Sequence, residues 1–205
     1  FSMIFLLHTL LILYAAFYLS KAVWVFISGP LFYILVVSLF LWNMYGKRLK
    51  EFYWKMKYST DEWLPIIDSE GNILYSAPRK VAHTNSKYLH PTVHIIFTKG
   101  KQIYLQKRGA DKLIFPSLWD SSVGGHVSFG ESIEEALKKE CYEELNVSSF
   151  KFTFIKRFHI SDNTQSELVY FFHGKVNGEI RLNKDEVADG KYFTKSEIEK
   201  MNSSE

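Results

Sequence analysis

The 205-residue chain is 47% hydrophobic and 23% charged, with a formal net charge of +3. That length suits one domain of ordinary size plus an extra segment, and the modest charge excludes the strongly basic class of proteins that grip nucleic-acid polymers. A single cysteine, Cys141, excludes an internal disulfide and fits a reducing compartment.

Residues 1–46 stand apart. Between Phe1 and Tyr45 the one formally charged side chain is Lys21. A run this long and this apolar reads as membrane-embedded, with room for two passes. Gly29-Pro30 is the natural break, giving spans of about Met3 to Ile27 and Leu31 to Tyr45; a break near Lys21 is the other reading. Trp42 and Tyr45 end the second span as an interfacial belt would. Lys47, Arg48, Lys50, Lys55 and Lys57 follow at once, and by the positive-inside rule they face the cytoplasm. His8 lies near an end and Lys21 can snorkel, so neither requires an intramembrane function. A signal peptide over residues 1–20 competes, but it lacks a basic start. The opening Phe1 fits a fragment, and Met56 is a candidate internal start. The expected organisation is a helical transmembrane hairpin over 1–46, a basic juxtamembrane linker over 47–62 and a soluble domain over 63–205.

The soluble part opens with short strands at Leu64–Ile67 and Asn72–Tyr75 around the turn Ser69-Glu70-Gly71. Thr92–Thr98 and Gln102–Gln106 form a second hairpin across Lys99-Gly100. Phe115-Pro116 interrupts, and Ser121–Val123 leads into the most informative stretch. Downstream, Phe150–Ile160 and Glu167–Val176 pair across Asp162-Asn163. Lys191–Phe193 is a last strand, and Thr194 caps a helix through Met201. Strands around a central helix predict a mixed α/β sandwich.

The informative stretch is Gly125–Val147, GHVSFGESIEEALKKECYEELNV. Ser132 and Glu135 form a capping box, and Ile133, Ala136, Leu137 and Cys141 make an apolar stripe. Glu140, Glu143 and Glu144, at i, i+3 and i+4, share one surface of that helix. A solvated acidic face is the ordinary reading of such glutamates, and it places them opposite the stripe. Glu140 and Glu144 instead fall within its arc, where unpaired charge is costly. A hard cation such as Mg²⁺ removes that cost, because it takes oxygen ligands and also grips phosphates.

With Gly125, Glu131, Glu140, Glu143, Glu144 and Val147 at the right spacing, the stretch resembles the Nudix box of the Nudix hydrolases. Lys139 replaces the usual arginine, and Asn146 replaces the second glycine. Lysine keeps the charge without the planar fork, whereas asparagine is a mild substitute at a left-handed helix cap. The resemblance implies a mixed-sheet α/β/α sandwich and Mg²⁺, with Mn²⁺ as an alternative. Glu140, Glu143 and Glu144, with Gly124 and Glu167, become the expected metal set. Glu140 is the expected proton acceptor, oriented by Lys139, and Glu131 supports the loop.

A second resemblance, to isopentenyl-diphosphate isomerase, covers most of residues 63–193. It rests on His83-Thr84, Leu89-His90 and Gly125-His126, and it implies phosphate binding by Arg108 and Lys112. The isomerase's catalytic cysteine falls on Gly124, and one of its two acidic metal ligands falls on Gln165. Glu140 and Glu143, which the isomerase's degenerate box lacks, are present. Hydrolysis of a diphosphate-linked small molecule is therefore the expected reaction. An isomerase-like enzyme and a membrane-tethered binding module without turnover are the alternatives. His83, His90 and His126 are either a second, transition-metal site near Glu167 or ordinary hydrogen-bonding residues.

Overall fold

From Leu31 to Lys57 a single glycine, Gly46, interrupts the run of helix-compatible residues, and the chain is helical throughout. A computed structural model describes residues 2–18, 29–112 and 115–202. The chain divides into two compact units at Lys57–Tyr58. In the first, helix α1 covers Ser2–Tyr18 and helix α2 covers Pro30–Lys57. Pro30 opens α2 at the one position where its missing N–H costs nothing. The break expected near Lys21 and the end of the first expected span lie outside the described residues.

The basic cluster, expected as a juxtamembrane linker over 47–62, is helical up to Lys57. No Pro or Gly follows Gly46, and Lys, Arg, Leu, Glu and Met sustain the helix. A turn over residues 58–61, closed by Asp61 N donating to Tyr58 O, leads from it to Trp63. The apolar face of α2 is uncovered, with Leu31 72%, Leu39 60% and Trp42 69% exposed. Among the described residues, α2 is a helix long and apolar enough to cross a membrane, by length and composition. Within this unit His8 is buried against the rings of Phe32 and Tyr33, with centroids 5.4 and 4.0 Å away.

The second unit begins with a two-stranded sheet, β1 (Trp63–Ile67) against β2 (Ile73–Pro78). Asp68 closes its turn by accepting from the backbone N–H of Glu70 and of Asn72. A four-residue helix, α3 (Arg79–Ala82), follows in a stretch without helical periodicity. Strands β3 (Leu89–Lys99), β4 (Gln102–Arg108), β5 (Trp119–Asp120), β6 (Val123–His126), β7 (Phe150–Ser161), β8 (Ser166–Val176) and β9 (Val187–Thr194) build the main sheet. It has two leaves. In one, β3 runs antiparallel to β6 and parallel to β8, which pairs with β7. In the other, β4 lies between β5 and β9, all antiparallel. The leaves join at the tip of the β3–β4 hairpin, where Thr98 faces Ile103.

Helix α4 (Ile133–Leu145) packs on this sheet. Its Ala136, Leu137, Cys141 and Leu145 meet Val93, Ile95, Phe97 and Val123 in one buried cluster. Each Leu, Val, Ile or Phe among them contributes roughly 1.5–3 kcal/mol through burial. The orphan carbonyls at the end of α4 are capped from a later loop. Arg181 N donates to Leu145 O, Asn183 N donates to Glu144 O, and Asn183 Nδ2 donates to Glu143 O. A final helix, α5 (Lys195–Asn202), starts at the expected Thr194, whose hydroxyl accepts from Glu197 N.

Ser121 and Ser122, which lead into the box, lie outside the strand β6. Ser122 is fully buried between the leaves; its hydroxyl donates to Tyr104 O and accepts from Phe97 N. That anchor bends the chain, so β6 starts only at Val123. Gly124 and Gly125 consequently sit in a strand, opposite His94 and Val93.

Candidate active site

The capping box is formed: Ser132 Oγ accepts from Glu135 N, and Glu135 returns a bond to Ser132 N. Asn146 takes the left-handed cap at φ 53°. These two ends fix the phase of α4 and so the direction of its carboxylates.

Glu140 is held beneath β6 with its side chain 15% exposed. Lys139 Nζ lies 3.2 Å from Glu131 Oε2 and 3.4 Å from Glu140 Oε1. Glu131 Oε2 also accepts from Ser128 N at 3.0 Å, so one lysine ties the loop to the helix. A point charge reaches both partners here without the fork of an arginine. Glu144 Oε2 accepts from Gln106 Nε2 at 2.9 Å and from Gly124 N at 3.4 Å. Glu143 stands exposed at the rim. Gly125 is a steric requirement: a Cβ there would overlap the carboxyl group of Glu140.

The cleft has two adjoining compartments. One, of about 330 Å³, is lined by Glu62, Lys112, Lys139, Glu140, Glu143 and Glu144. The other, of about 250 Å³, is lined by His83, Thr92, His94, Asp120, Gln165 and Glu167. Both include Arg79, Arg108, Gly124, Gly125 and His126, which form the divide. Glu167 therefore belongs to the histidine compartment rather than beside the box carboxylates. The cationic candidates are each held by an acid. Arg108 pairs with Asp120 at 3.1 Å, Lys112 with Glu186 at 2.7 Å, and Arg79 with Glu62 at 3.2 Å.

Burial pushes Glu140 up to about 7, opposed by Lys139 and aided by Glu143. Burial likewise pushes Glu144 up to about 8, against the bond from Gln106. Neither carboxylate has a full countercharge, so the site fits a hard divalent cation: its donors are oxygens, and its unmet charge is negative. Cys141, buried on the same helix, has its thiol pushed well up by burial and is a packing residue.

The shifted carboxylates make stability depend on pH. Unfolded, both titrate near 4.5. Between that value and about 8, the native state binds more protons than the unfolded one, so metal-free stability falls as pH rises. His83, His90 and His126 work oppositely, but only below their ordinary 6.5, where the unfolded chain takes protons that the buried rings refuse. Metal-free protein is expected to melt at lower temperature at about pH 8.5 than at 6.5, and Mg²⁺ should raise Tm more at the higher pH. A flat metal-free profile in calorimetry across that window would contradict the burial of the two glutamates.

The three histidines do converge. Their ligand atoms all lie within 4.8 Å of one another, and His83 Nε2 is 3.0 Å from His126 Nε2. His90 Nδ1 bonds Tyr88 O, while its buried Nε2 has no hydrogen-bond partner. Burial lowers all three pKa values, His90 to about 4, which keeps the rings neutral with lone pairs available. Neutral nitrogens around an orphaned nitrogen fit a transition metal better than Mg²⁺. Gln165 Oε1, in the same compartment, is a second orphaned buried atom.

Several site residues carried no signal in the sequence. Arg79 arrives on the unforeseen α3. Gln106 is an ordinary strand residue until the fold lays it on Glu144. His94, Asp120 and Ser121 are gathered by the pairing of β3, β4, β5 and β6. The alternation of β3, with His94 between buried Val93 and Ile95, was the available clue for one of them.

Comparison with known proteins agrees with this geometry. The NUDIX domain profile matches residues 88–205, more than half of the chain. The chain is 33% identical over 125 residues to a Nudix hydrolase of Listeria monocytogenes, covering 57% of this chain and 70% of that one. It is 32% identical over 154 residues to a Nudix hydrolase of Clostridium acetobutylicum, covering 69% and 72%. An isopentenyl-diphosphate Delta-isomerase of Mycolicibacterium vanbaalenii is 27% identical over 140 residues, covering 63% and 76%. In fold, the chain is similar to a Deinococcus radiodurans crystal structure, with a TM-score of 0.61 at 22% identity, covering 70% and 90%. A capped acidic helix against a mixed sheet, matched across this length, places the chain in the Nudix family, as a hydrolase of diphosphate bonds.

Proposed function

We propose that the chain is a Mg²⁺-dependent hydrolase of a nucleoside diphosphate derivative or a related small-molecule diphosphate, tethered to a membrane. The observation that carries this reading is the pair of part-buried carboxylates, Glu140, whose lysine is shared with Glu131, and Glu144, in a cavity with Arg108 and Lys112. Glu140, Glu143 and Glu144, with the Gly124 carbonyl, would hold Mg²⁺. When bound, the ion neutralises phosphate charge and lowers the pKa of water. Glu140 accepts the proton of the attacking water, its carboxyl group oriented by Lys139. Glu131 keeps Lys139 in place. Arg108 and Lys112 exchange Asp120 and Glu186 for phosphate oxygens, which are better hydrogen-bond acceptors in a doubly charged group. His83, His90 and His126, with Glu167, would hold a second, transition-metal ion.

Isomerisation is disfavoured. Gly124 carries no side chain to move a proton, and the space beside it is filled by His94. The test is a turnover panel of nucleoside, sugar and isoprenyl diphosphates with Mg²⁺ and with Mn²⁺. Hydrolysis of at least one nucleoside or related diphosphate is expected. Conversion of isopentenyl to dimethylallyl diphosphate at an enzyme-like rate would replace this reading, and binding without turnover would make the chain a tethered sensor.

The membrane part of the proposal rests on the uncovered apolar surface of α2 and the basic run that closes it. Residues 1–46 anchor the chain, and Lys47, Arg48, Lys50, Lys55 and Lys57 place the hydrolase domain on the cytoplasmic side. Each basic residue near an anionic surface adds roughly 1 kcal/mol. Fractionation is expected to leave the full chain in membranes after a high-salt wash, and protease added to intact cells should spare the domain. Release by salt alone, or cleavage from outside, would overturn the anchor or its orientation.

A further inference from the structure

The β7–β8 hairpin is basic, and nothing in the domain answers its charge. The two strands carry Lys151, Lys156, Arg157 and Lys175, all exposed; their one acid, Glu167, lies at the far end in the histidine compartment. Among the described residues none of these four cations forms an ion pair, whereas Arg79, Arg108, Lys112 and Lys139 in the cleft are each held by an acid.

Register gathers three of the cations on one face. Lys151 stands opposite Lys175 and Lys156 opposite Phe171, and Phe171 and Lys175 are an even number of residues apart on β8. Lys151, Lys156 and Lys175 therefore project from the same side of the hairpin, with exposed Thr153 between the first two. Like charges placed opposite each other, as Lys151 and Lys175 are, destabilise an antiparallel pair. An anionic partner removes that repulsion. Arg157 projects from the other side, where its guanidinium donates to Glu70 O at 2.7 Å.

The edge of the hairpin adds apolar surface. Strand β7 is the outer strand of its leaf, and a bulge between Phe154 and Lys156 leaves Ile155 without a partner on β8. Phe154 and Ile155 are 50% and 51% exposed. A bulge and lysines stop a further strand from joining an edge, so they argue against a second copy or an extended peptide here. Guarding an edge does not call for an exposed phenylalanine and isoleucine beside the lysines. Cations flanking apolar side chains fit an anionic bilayer: the lysines meet headgroup phosphates, and the apolar side chains reach the acyl boundary. Five residues, 58–62, join this domain to a helix long and apolar enough to cross a membrane, so a bilayer that takes up α2 keeps lipid at high effective concentration for the strand.

We infer that the β7–β8 face, through Lys151, Lys156 and Lys175 with Phe154 and Ile155 at its edge, docks on the anionic headgroups of a bilayer. This contact is separate from the tether of residues 1–46. It belongs to the domain, is sensitive to salt and discriminates between lipids.

The test uses the full chain in nanodiscs of phosphatidylcholine alone and of phosphatidylcholine with phosphatidylglycerol. Cys141 is fully buried, so a thiol-reactive fluorophore on a Thr153→Cys chain reports from the basic face. A chain labelled at Tyr142→Cys, an exposed position of α4, is the control. Nitroxide-bearing lipids should quench the label at 153 in the anionic discs and much less in the neutral ones, and should leave the label at 142 unaffected in both. Lys151→Gln with Lys156→Gln should lower the docked-to-free ratio roughly 25-fold, at about fivefold per charge. Lys151→Arg with Lys156→Arg should restore it. Ile155→Ser, at the exposed bulge, should weaken docking with the charge unchanged. High salt should release the label from lipid while the chain stays in the disc. Equal quenching at 153 in both discs, no loss in the double glutamine chain, or no quenching in either disc would overturn the inference. In the last case, binding of single-stranded RNA through the same lysines would name a polynucleotide instead. A disulfide between two copies of the Thr153→Cys chain in detergent would equally overturn it and assign the face to a second copy. Loss of the whole chain from the discs at high salt, after quenching selective for anionic lipid, would leave this contact standing and sink the anchor of residues 1–46 instead.

Discussion

Replacing Glu144 by Gln is expected to lower kcat by about 10²- to 10³-fold, the effect of removing one group that organises charge at a reacting centre. The fold should be untouched. Glu144, with its pKa raised to about 8, is largely protonated in the metal-free protein near neutrality. Glutamine has the same shape as that neutral acid and still accepts from Gln106 and Gly124. The melting temperature without metal should therefore stay level or rise at alkaline pH, while the stabilisation added by Mg²⁺ is lost. Glu143→Gln, at the exposed rim, should lose kcat similarly with no gain in metal-free stability, because its carboxylate is already in contact with water. Steady-state kinetics and melting curves with and without Mg²⁺ measure both. Full activity in either variant would sink the metal assignment.

Gly125→Ala is expected to cost about 100-fold in kcat through Glu140, a residue it does not resemble chemically. The added Cβ would occupy the space of the Glu140 carboxyl group, so that group must swing away from β6 and from Lys139. Displacements of this size are enough, since misplacing a reacting group by about 1 Å costs on the order of 10² in rate. The decisive measurement is a double-mutant cycle. If Gly125 acts by leaving room for Glu140, then Gly125→Ala combined with Glu140→Gln is little worse than the poorer single variant. Fully multiplicative losses would show that Gly125 matters elsewhere, for instance to the pairing of β6 with β3.

The reading of the box helix held in detail because its determinants are local. Capping is decided within four residues, and the phase of an apolar stripe is decided by 3.6-residue periodicity. Placing Ile133, Ala136, Leu137 and Cys141 toward the core leaves Glu140 and Glu144 partly buried without reference to any other element. Strand limits were less legible for the opposite reason. The strand expected at Lys191–Phe193 extends over Val187–Thr194, because β4 supplies partners from Gln102 to Arg108. Ser121 and Ser122 stay outside β6 because a single buried hydroxyl, that of Ser122, is claimed by both leaves of the sheet. Helix α2 continues through the basic cluster because Lys, Arg, Leu, Glu and Met sustain a helix and nothing between Gly46 and Lys57 breaks it.

The acidic helix, its carboxylate face, the apolar segment with its basic end and the absence of a cysteine where an isomerase needs one are legible in the order of residues. These are one-dimensional properties, set by the spacing of residues along a helix or by the composition of a run. Tertiary structure alone decided how the cleft is partitioned. Parallel pairing of β8 with β3 sets Glu167 beside His90, away from the box carboxylates. Antiparallel pairing of β6 with β3 sets His94 against Gly124, and the crossing of β4 brings Gln106 to Glu144. Each contact joins residues far apart in the chain, and sheet register, fixed by which faces are buried, is a property of the pairing rather than of either strand.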